Sequence, residues 1–222
     1  MADDIRPWHK TWWGVIITIF LTIILVFLIA LGIFLYNSVK IVKNNSGINL
    51  AGQTYPAADD NHYWLGTANA KITIVEFGDF ACPHCEAAFP TIRQISLKYK
   101  NDIKLIWRDY PVVAEYSALL ALAGRCAGEQ GLFWPMHDKL FQNQGVSSAD
   151  QLSALANQIG ADTARFNDCM NKQKYLPQIQ KDVADGQSFG NTGTPTWFIN
   201  GYRVPGDIPY DTFVKIIEQL KK

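Results

Sequence analysis

The sequence lacks net charge. Its 20 basic and 20 acidic residues cancel, which removes the strongly basic surface that a nucleic-acid or polyanion partner would call for. It also lacks internal repeats and low-complexity tracts, so nothing suggests an array of stacked units. Cysteine is scarce, with four residues at positions 82, 85, 126 and 169. A structural zinc site needs four ligands at suitable spacing. Cys126 and Cys169 stand 43 positions apart, without the paired spacing of such sites. Zinc is therefore the weaker reading of the Cys82/Cys85 pair.

Charge is missing altogether from Val15 to Tyr36. These 22 residues would form a helix about 33 Å long, enough to span a bilayer core. Trp8, Trp12 and Trp13 precede the run and Tyr36 closes it, in the manner of an interfacial aromatic belt. The run is long for a cleaved signal peptide, and no small-x-small cleavage site follows it. No polar stripe breaks it, which argues against a buried core helix. An uncleaved transmembrane signal anchor over 15–36 is the preferred reading, with residues 1–14 as a short cytoplasmic N-terminus. Residues 37–61 are polar, rich in Asn, Gly, Ser, Ala and Asp, and contain Pro56. They read as a flexible linker with an average span of about 25–30 Å. About 160 residues remain from His62 onward, the size of one well-cored domain.

What is present is a reactive motif in an informative context. Cys82-Pro83-His84-Cys85 directly follows the strand-like run Lys71–Gly78. A strand ends, a helix begins, and Cys82 falls at the helix N-terminus. There the unpaired N–H groups and the helix dipole favour the thiolate, which is the nucleophile of disulfide exchange. Pro83 suits the first helical turn, where a missing N–H costs nothing. His84 adds a positive charge or an N–H donor near the Cys82 sulfur. Each effect stabilises the reduced, ionised form and makes the disulfide a stronger oxidant.

Around this motif the expected order is strand, helix, strand, a helical block, a hairpin and a last helix. Ile72, Ile74, Val75 and Phe77 mark the first strand. A helix from Cys82 to about Lys100 carries Phe89, Ile92, Ile95 and Tyr99 on one stripe, with a kink expected at Pro90. Ile103–Trp107 is the second strand, and the crossover implies parallel pairing. Helices are expected over 115–131, 133–141, 149–159, 163–172 and 176–189. Ser148 and Asp162 are the N-caps and Gly160 a C-terminal stop. Asn200-Gly201 sits between two short strands as a hairpin turn, and Asp211–Lys222 closes the chain as a helix.

Cys126 and Cys169 each lie on an apolar helix face. Two buried, inert thiols are one reading. In an oxidising compartment the even count argues instead for a structural Cys126–Cys169 disulfide. It would close a loop of about 44 residues, worth roughly 4 kcal/mol in the chain-entropy model.

Three segments together, IVEFGDFACPHC at 74–85, RCAGEQGLFWPMHDKLF at 125–141 and GTPTWFING at 193–201, resemble the DsbA-like branch of the thioredoxin superfamily, over about Tyr63 to Lys222. The resemblance implies an α/β thioredoxin fold with a helical insertion over about 115–189, here preceded by a single N-terminal transmembrane helix. It implies that Cys82 attacks, that Cys85 is the buried resolving cysteine, and that Pro195 is the cis-proline beside the site. Taken alone, Pro195 reads as an ordinary strand-initiating proline. A cis bond would bring the Thr194 backbone next to the redox pair, where an extended substrate strand can pair with it. Glu76 matches the position of a buried carboxylate that accepts the Cys85 proton; a solvent-facing or edge glutamate is the alternative. Asp79 reads as a turn residue, Trp134 and His137 as packing residues, and His9 and His62 have no evident role.

The function implied is a membrane-anchored thiol oxidase acting on reduced exported proteins. A membrane partner of DsbB or vitamin K epoxide reductase type would re-oxidise it, with no metal or organic cofactor. Arg6 and Lys10 before the apolar run balance Lys40 and Lys43 after it, so the positive-inside rule leaves the orientation open. The chemistry places the domain outside the cytoplasm, where disulfides persist. Thr194 is shared with isomerase and reductase relatives, so those activities at the same four residues remain the alternative. The 37–61 segment is too short and polar for the dimerisation domain that isomerases carry, and a monomer is expected. A non-catalytic binding module is the reading from a different class.

Overall fold

The computed structural model describes residues 12–44, 50, 52–59 and 61–222, with the backbone alone for Gly14 and 37–44. Arg6, Trp8, His9 and Lys10 lie outside the described residues. The chain divides into two units, Met1–Gly47 and Ile48–Lys222.

In the first unit, helix α1 spans Trp12–Asn44. Its Val15–Tyr36 stretch has a mean hydropathy of 3.1 and is long and apolar enough to cross a membrane, by length and composition. The helix does not stop at Tyr36, where the linker was expected to begin. Asn37 to Asn44 contains neither glycine nor proline, so nothing local ends the backbone hydrogen-bond ladder there.

The second unit is built on a five-stranded sheet. Its strands are β1 (Trp64–Gly66), β2 (Ile72–Gly78), β3 (Ile103–Asp109), β4 (Thr196–Ile199) and β5 (Tyr202–Pro205), in the order β1-β3-β2-β4-β5. β2 and β3 are parallel, as the crossover requires, and helix α2 (Pro83–Lys98) joins them. β4 pairs antiparallel with β2 and with β5. Asn200 at φ 48 and Gly201 at φ 84 form the expected hairpin turn, in which two consecutive left-handed residues match the strand twist. The three-residue edge strand β1, antiparallel to β3, was not anticipated.

β2 lies at the centre of the sheet, and its alternating side chains enter two cores. Ile72 and Ile74 pack with Ala88, Ile92 and Ile95 of α2 and with Phe213, Ile216 and Ile217 of the last helix. Val75 and Phe77 face the other way, onto Tyr110, Phe198 and Ala57. Ala57 falls within the segment expected to be a flexible linker, and the structure corrects that boundary. Tyr55 N–H donates to the Gly201 carbonyl at 2.9 Å, Thr54 bridges Tyr202, and the Tyr55 ring packs on Phe189 and Phe198. An aromatic ring and a buried alanine gain more from the sheet face than a polar coil gains from freedom.

Between β3 and β4 lies the insertion: α3 (Ser117–Gly128), α4 (Phe133–Gln142), α5 (Ala149–Gln158), α6 (Thr163–Asn171) and α7 (Leu176–Ser188). Ser148 caps α5 in a reciprocal capping box with Gln151, and Asp162 caps α6 by accepting from Arg165 N–H. Gly160 adopts φ +79 where α5 ends. Cys126 of α3 and Cys169 of α6 are joined as a disulfide with their Cα atoms 5.8 Å apart. Helix α8 (Tyr210–Leu220) closes the fold.

Candidate active site

The site begins where β2 runs out. Asp79 turns the chain, as its position suggested. Its carbonyl accepts Cys82 N–H at 3.0 Å and its carboxylate accepts Ala81 N–H at 2.9 Å. The other carboxylate oxygen accepts the N–H groups of Val112 and Val113, each at 2.8 Å, so the turn also pins the loop after β3. Cys82 is then the N-cap of α2, with extended backbone (φ −83, ψ 121), and Pro83 occupies the first turn.

Both cysteines are buried thiols, Cys82 at 3% exposure and Cys85 at 0%. The Cys82 sulfur lies 3.3 Å from the Thr194 carbonyl oxygen, and the Thr194–Pro195 bond is cis. The redox pair and the proline loop are thus brought together across the sheet. A hydrogen bond with the Cys85 thiol is the largest influence on Cys82. Burial opposes it, and a hydrogen bond at Thr194 and the backbone N–H groups of Cys85 and His84 add to it. Together they hold the Cys82 pKa at about 5. Cys85 moves the other way, pushed well above the ordinary thiol range by burial, by its bond to Cys82 and by the charge of Glu76. One sulfur is a thiolate at neutral pH and the other stays protonated.

Of the two contributions expected of His84, the N–H donor is the one present, and it comes from the backbone. Its side chain is exposed. Glu76 is not at an edge or in solvent. It lies on the central strand, in register with Trp107 and Trp197, at 3% exposure. Burial, and secondly the negative charge of Cys82, raise its pKa to about 8. At pH 7 this carboxyl is mostly protonated, and it is close enough to both cysteines for their charges to act on one another.

Trp107 carries the floor of the site. A Cβ on Gly78 would fall 2.3 Å from its ring, so glycine at the strand end lets the indole lie against the backbone. The ring stacks on Phe80 at 4.7 Å, with His137 edge-on at 4.9 Å. His137 is thus a packing residue, as is Trp134, whose indole donates to the Trp64 carbonyl at 3.1 Å.

Two polar features escaped the sequence. The Trp107 indole N–H donates to Asp109 at 2.9 Å, and Asp109 belongs to a buried ion cluster. Asp182 of α7 accepts from Arg108 at 2.7 and 2.9 Å, pairs with His62 at 2.7 Å and is bonded by Arg125. Arg125 also reaches Asp109, and Arg108 reaches Asp185 and the Ala57 carbonyl. His62, without a role in the sequence, fastens the start of the domain. Burial pushes Asp182 up, but hydrogen bonding and charge from His62, Arg108 and Arg125 outweigh it and hold the carboxyl below its usual range. For Asp109 burial prevails over Arg125 and raises it. The second feature is Gln144, whose side chain reaches the backbone of the active-site turn.

A family model described as thioredoxin matches residues 58–219. BdbD from Bacillus subtilis, in its oxidised form, is 27% identical and superposes with a TM-score of 0.66, over 78% of this chain and 98% of BdbD. A thioredoxin-like oxidoreductase from Silicibacter pomeroyi is 26% identical with a TM-score of 0.67, over 73% of this chain and 94% of that one. The thiol-disulfide exchange protein alpha-DsbA2 from Wolbachia pipientis shares the fold at 24% identity and a TM-score of 0.67, over 73% of this chain and 88% of its own. Among curated relatives, Na(+)/H(+) antiporter NhaA 1 of Salinispora arenicola is 35% identical over 153 residues, 68% of this chain. The chain spans about a quarter of that relative's length (23%). A cysteine pair beside a cis-proline, on a thioredoxin-like sheet with a helical insertion, agrees with these matches: the chain belongs to the thioredoxin family, in its DsbA-like branch.

Proposed function

We propose that the protein is a membrane-anchored, extracytoplasmic oxidase that introduces disulfides into exported proteins at Cys82 and Cys85. The observation that carries this reading is the placement of Cys82 at the N-cap of α2 with its sulfur 3.3 Å from the carbonyl of the cis Thr194–Pro195 bond, a setting that favours the thiolate and lowers its pKa to about 5. Whatever stabilises the reduced pair makes its disulfide more oxidising. The Val15–Tyr36 helix supplies the anchor. The antiporter names describe proteins about four times the matched length, so nothing of ion transport comes with them.

In the oxidised protein a substrate thiolate attacks Cys82 Sγ. The Cys82–Cys85 bond breaks and Cys85 leaves with the electron pair. Glu76, protonated at neutral pH, gives its proton to the departing Cys85 sulfur, directly or through a water. A second substrate thiolate attacks the substrate sulfur of the mixed disulfide, and Cys82 leaves as a low-pKa thiolate, a good leaving group. The substrate ends oxidised by two electrons and the protein ends as the dithiol. A membrane re-oxidase of DsbB or vitamin K epoxide reductase type then removes those electrons. The exposed His84 ring and the Thr194 backbone face the incoming chain.

The pH dependence tests the thiolate. Alkylation of the reduced protein by iodoacetamide should be half-maximal near pH 5 and flat above about pH 6, falling about tenfold per pH unit below the midpoint, because only the thiolate reacts. A midpoint near the ordinary thiol value of about 8.5 would remove the basis for the oxidase. Glu76→Gln separates proton transfer from nucleophilicity. Oxidation of a dithiol peptide should slow by about tenfold or more, while the Cys82 alkylation profile stays in place. Equal rates for the two proteins would take Glu76 out of the mechanism.

A further inference from the structure

Gln144 stands in the turn between α4 and α5, where Gly145 adopts φ +94 and Val146 N–H bonds the Asn143 carbonyl at 3.3 Å. Its amide nitrogen lies 3.0 Å from the Phe80 carbonyl and 3.0 Å from the Cys82 carbonyl. A primary amide has two N–H donors, and both are directed to the backbone of the active-site turn. The Cys82 carbonyl already accepts Glu86 N–H at 3.0 Å, the first bond of α2. On the opposite flank Asp79 takes the N–H groups of Ala81 and Cys82. Residues 80–82 are therefore held by Asp79, just past the end of β2, and from the insertion by Gln144.

We propose that Gln144 is a positioning residue for the exchange reaction, fixing the Phe80–Cys82 backbone so that the His84 and Cys85 N–H groups converge on the Cys82 sulfur. The proposal rests on Cys82 being the attacking cysteine. It makes the insertion a part of the redox site and not only a covering layer. Without the amide, the Phe80 and Cys82 carbonyls lose their shared side-chain donor, and the turn is held only by Asp79 and the Glu86 N–H. The N–H groups then meet the sulfur less squarely, and hydrogen bonds weaken steeply off axis.

The test uses the full chain in detergent micelles. Gln144→Met keeps the length and removes both donors. It should raise the midpoint of the Cys82 alkylation profile by about half to one pH unit, a change of roughly three- to tenfold in thiolate stability. The equilibrium with glutathione should move toward the disulfide by a similar factor. Gln144→Lys, which keeps a donor at that position, should leave the midpoint at or below the wild-type value. A folded Met variant with an unmoved midpoint overturns the proposal, and so do Met and Lys variants shifted upward alike. If the Met variant loses its native near-UV circular dichroism, Gln144→Asn serves instead. It keeps the amide but falls one methylene short of the carbonyls, so a raised midpoint supports the proposal and an unmoved one overturns it. A wild-type Cys82 that titrates as an ordinary thiol removes the underlying assignment. An acidic wild-type Cys82 with unmoved variants removes only the role of Gln144.

Discussion

Cys82→Ser should bring oxidation of a dithiol peptide down to the uncatalysed background while leaving the fold in place. The loss is complete because no disulfide can form at a hydroxyl. The fold survives because residue 82 is the N-cap of α2, where the native side chain makes no capping bond and serine is a preferred residue. Cys85→Ser should behave differently. Cys82 can still attack a substrate disulfide, but nothing resolves the mixed disulfide from within, so covalent complexes should accumulate on non-reducing gels. Retained biological function in the Cys82→Ser protein would mark the chain as a tethered binding module instead.

Asp182→Ala should cost about 3–5 kcal/mol of folding stability, the usual penalty for removing one partner of a buried ion pair. Asp182 is fully buried (0% exposure) and Arg108 and Arg125 nearly so, at 1% and 3%. Both guanidinium groups would lose a charge partner they cannot replace with water, and His62 would lose its bond as well. Against a typical domain stability of about 5–15 kcal/mol, this is enough to unfold a large fraction of a marginal domain. The Lys172–Asp168 pair makes the contrast. Both side chains are more than half exposed, and Asp168→Ala should change stability by less than about 1 kcal/mol. Urea unfolding of the three proteins at one pH checks both statements. Equal midpoints for Asp182→Ala and wild type would contradict the account of the cluster.

Local signals in the sequence reached far in this protein. The strand, the N-cap cysteine and the first-turn proline are contiguous, and Asn200-Gly201 specifies its own turn. Helices over 117–188 announced themselves through apolar spacing, with Ser148, Asp162 and Gly160 marking their ends. Glu76 could be suspected only from its place six residues before Cys82, because burial on a central strand depends on β3 and β4, which are remote in sequence. The ion cluster was illegible for the same reason. Its bonds join residues 57, 74 and 120 positions apart, and a single arginine in an apolar helix reads as a solvent-seeking side chain. Gln144 lies 62 positions from Cys82, and a glutamine beside a glycine signals only a turn. β1 is too short to show a period, and the docked segment around Tyr55 has the composition of a linker. In each case the missing information is a partner across space.

The reduction potential of the Cys82/Cys85 pair, measured on the full chain in detergent against a glutathione buffer, tests the central claim most directly. A thiolate stabilised to the extent found here predicts a potential toward the oxidising end of the superfamily, about −120 to −180 mV. A value near that of thioredoxin, about −270 mV, would contradict the oxidase and turn the same four residues into a reductase that receives its electrons across the membrane.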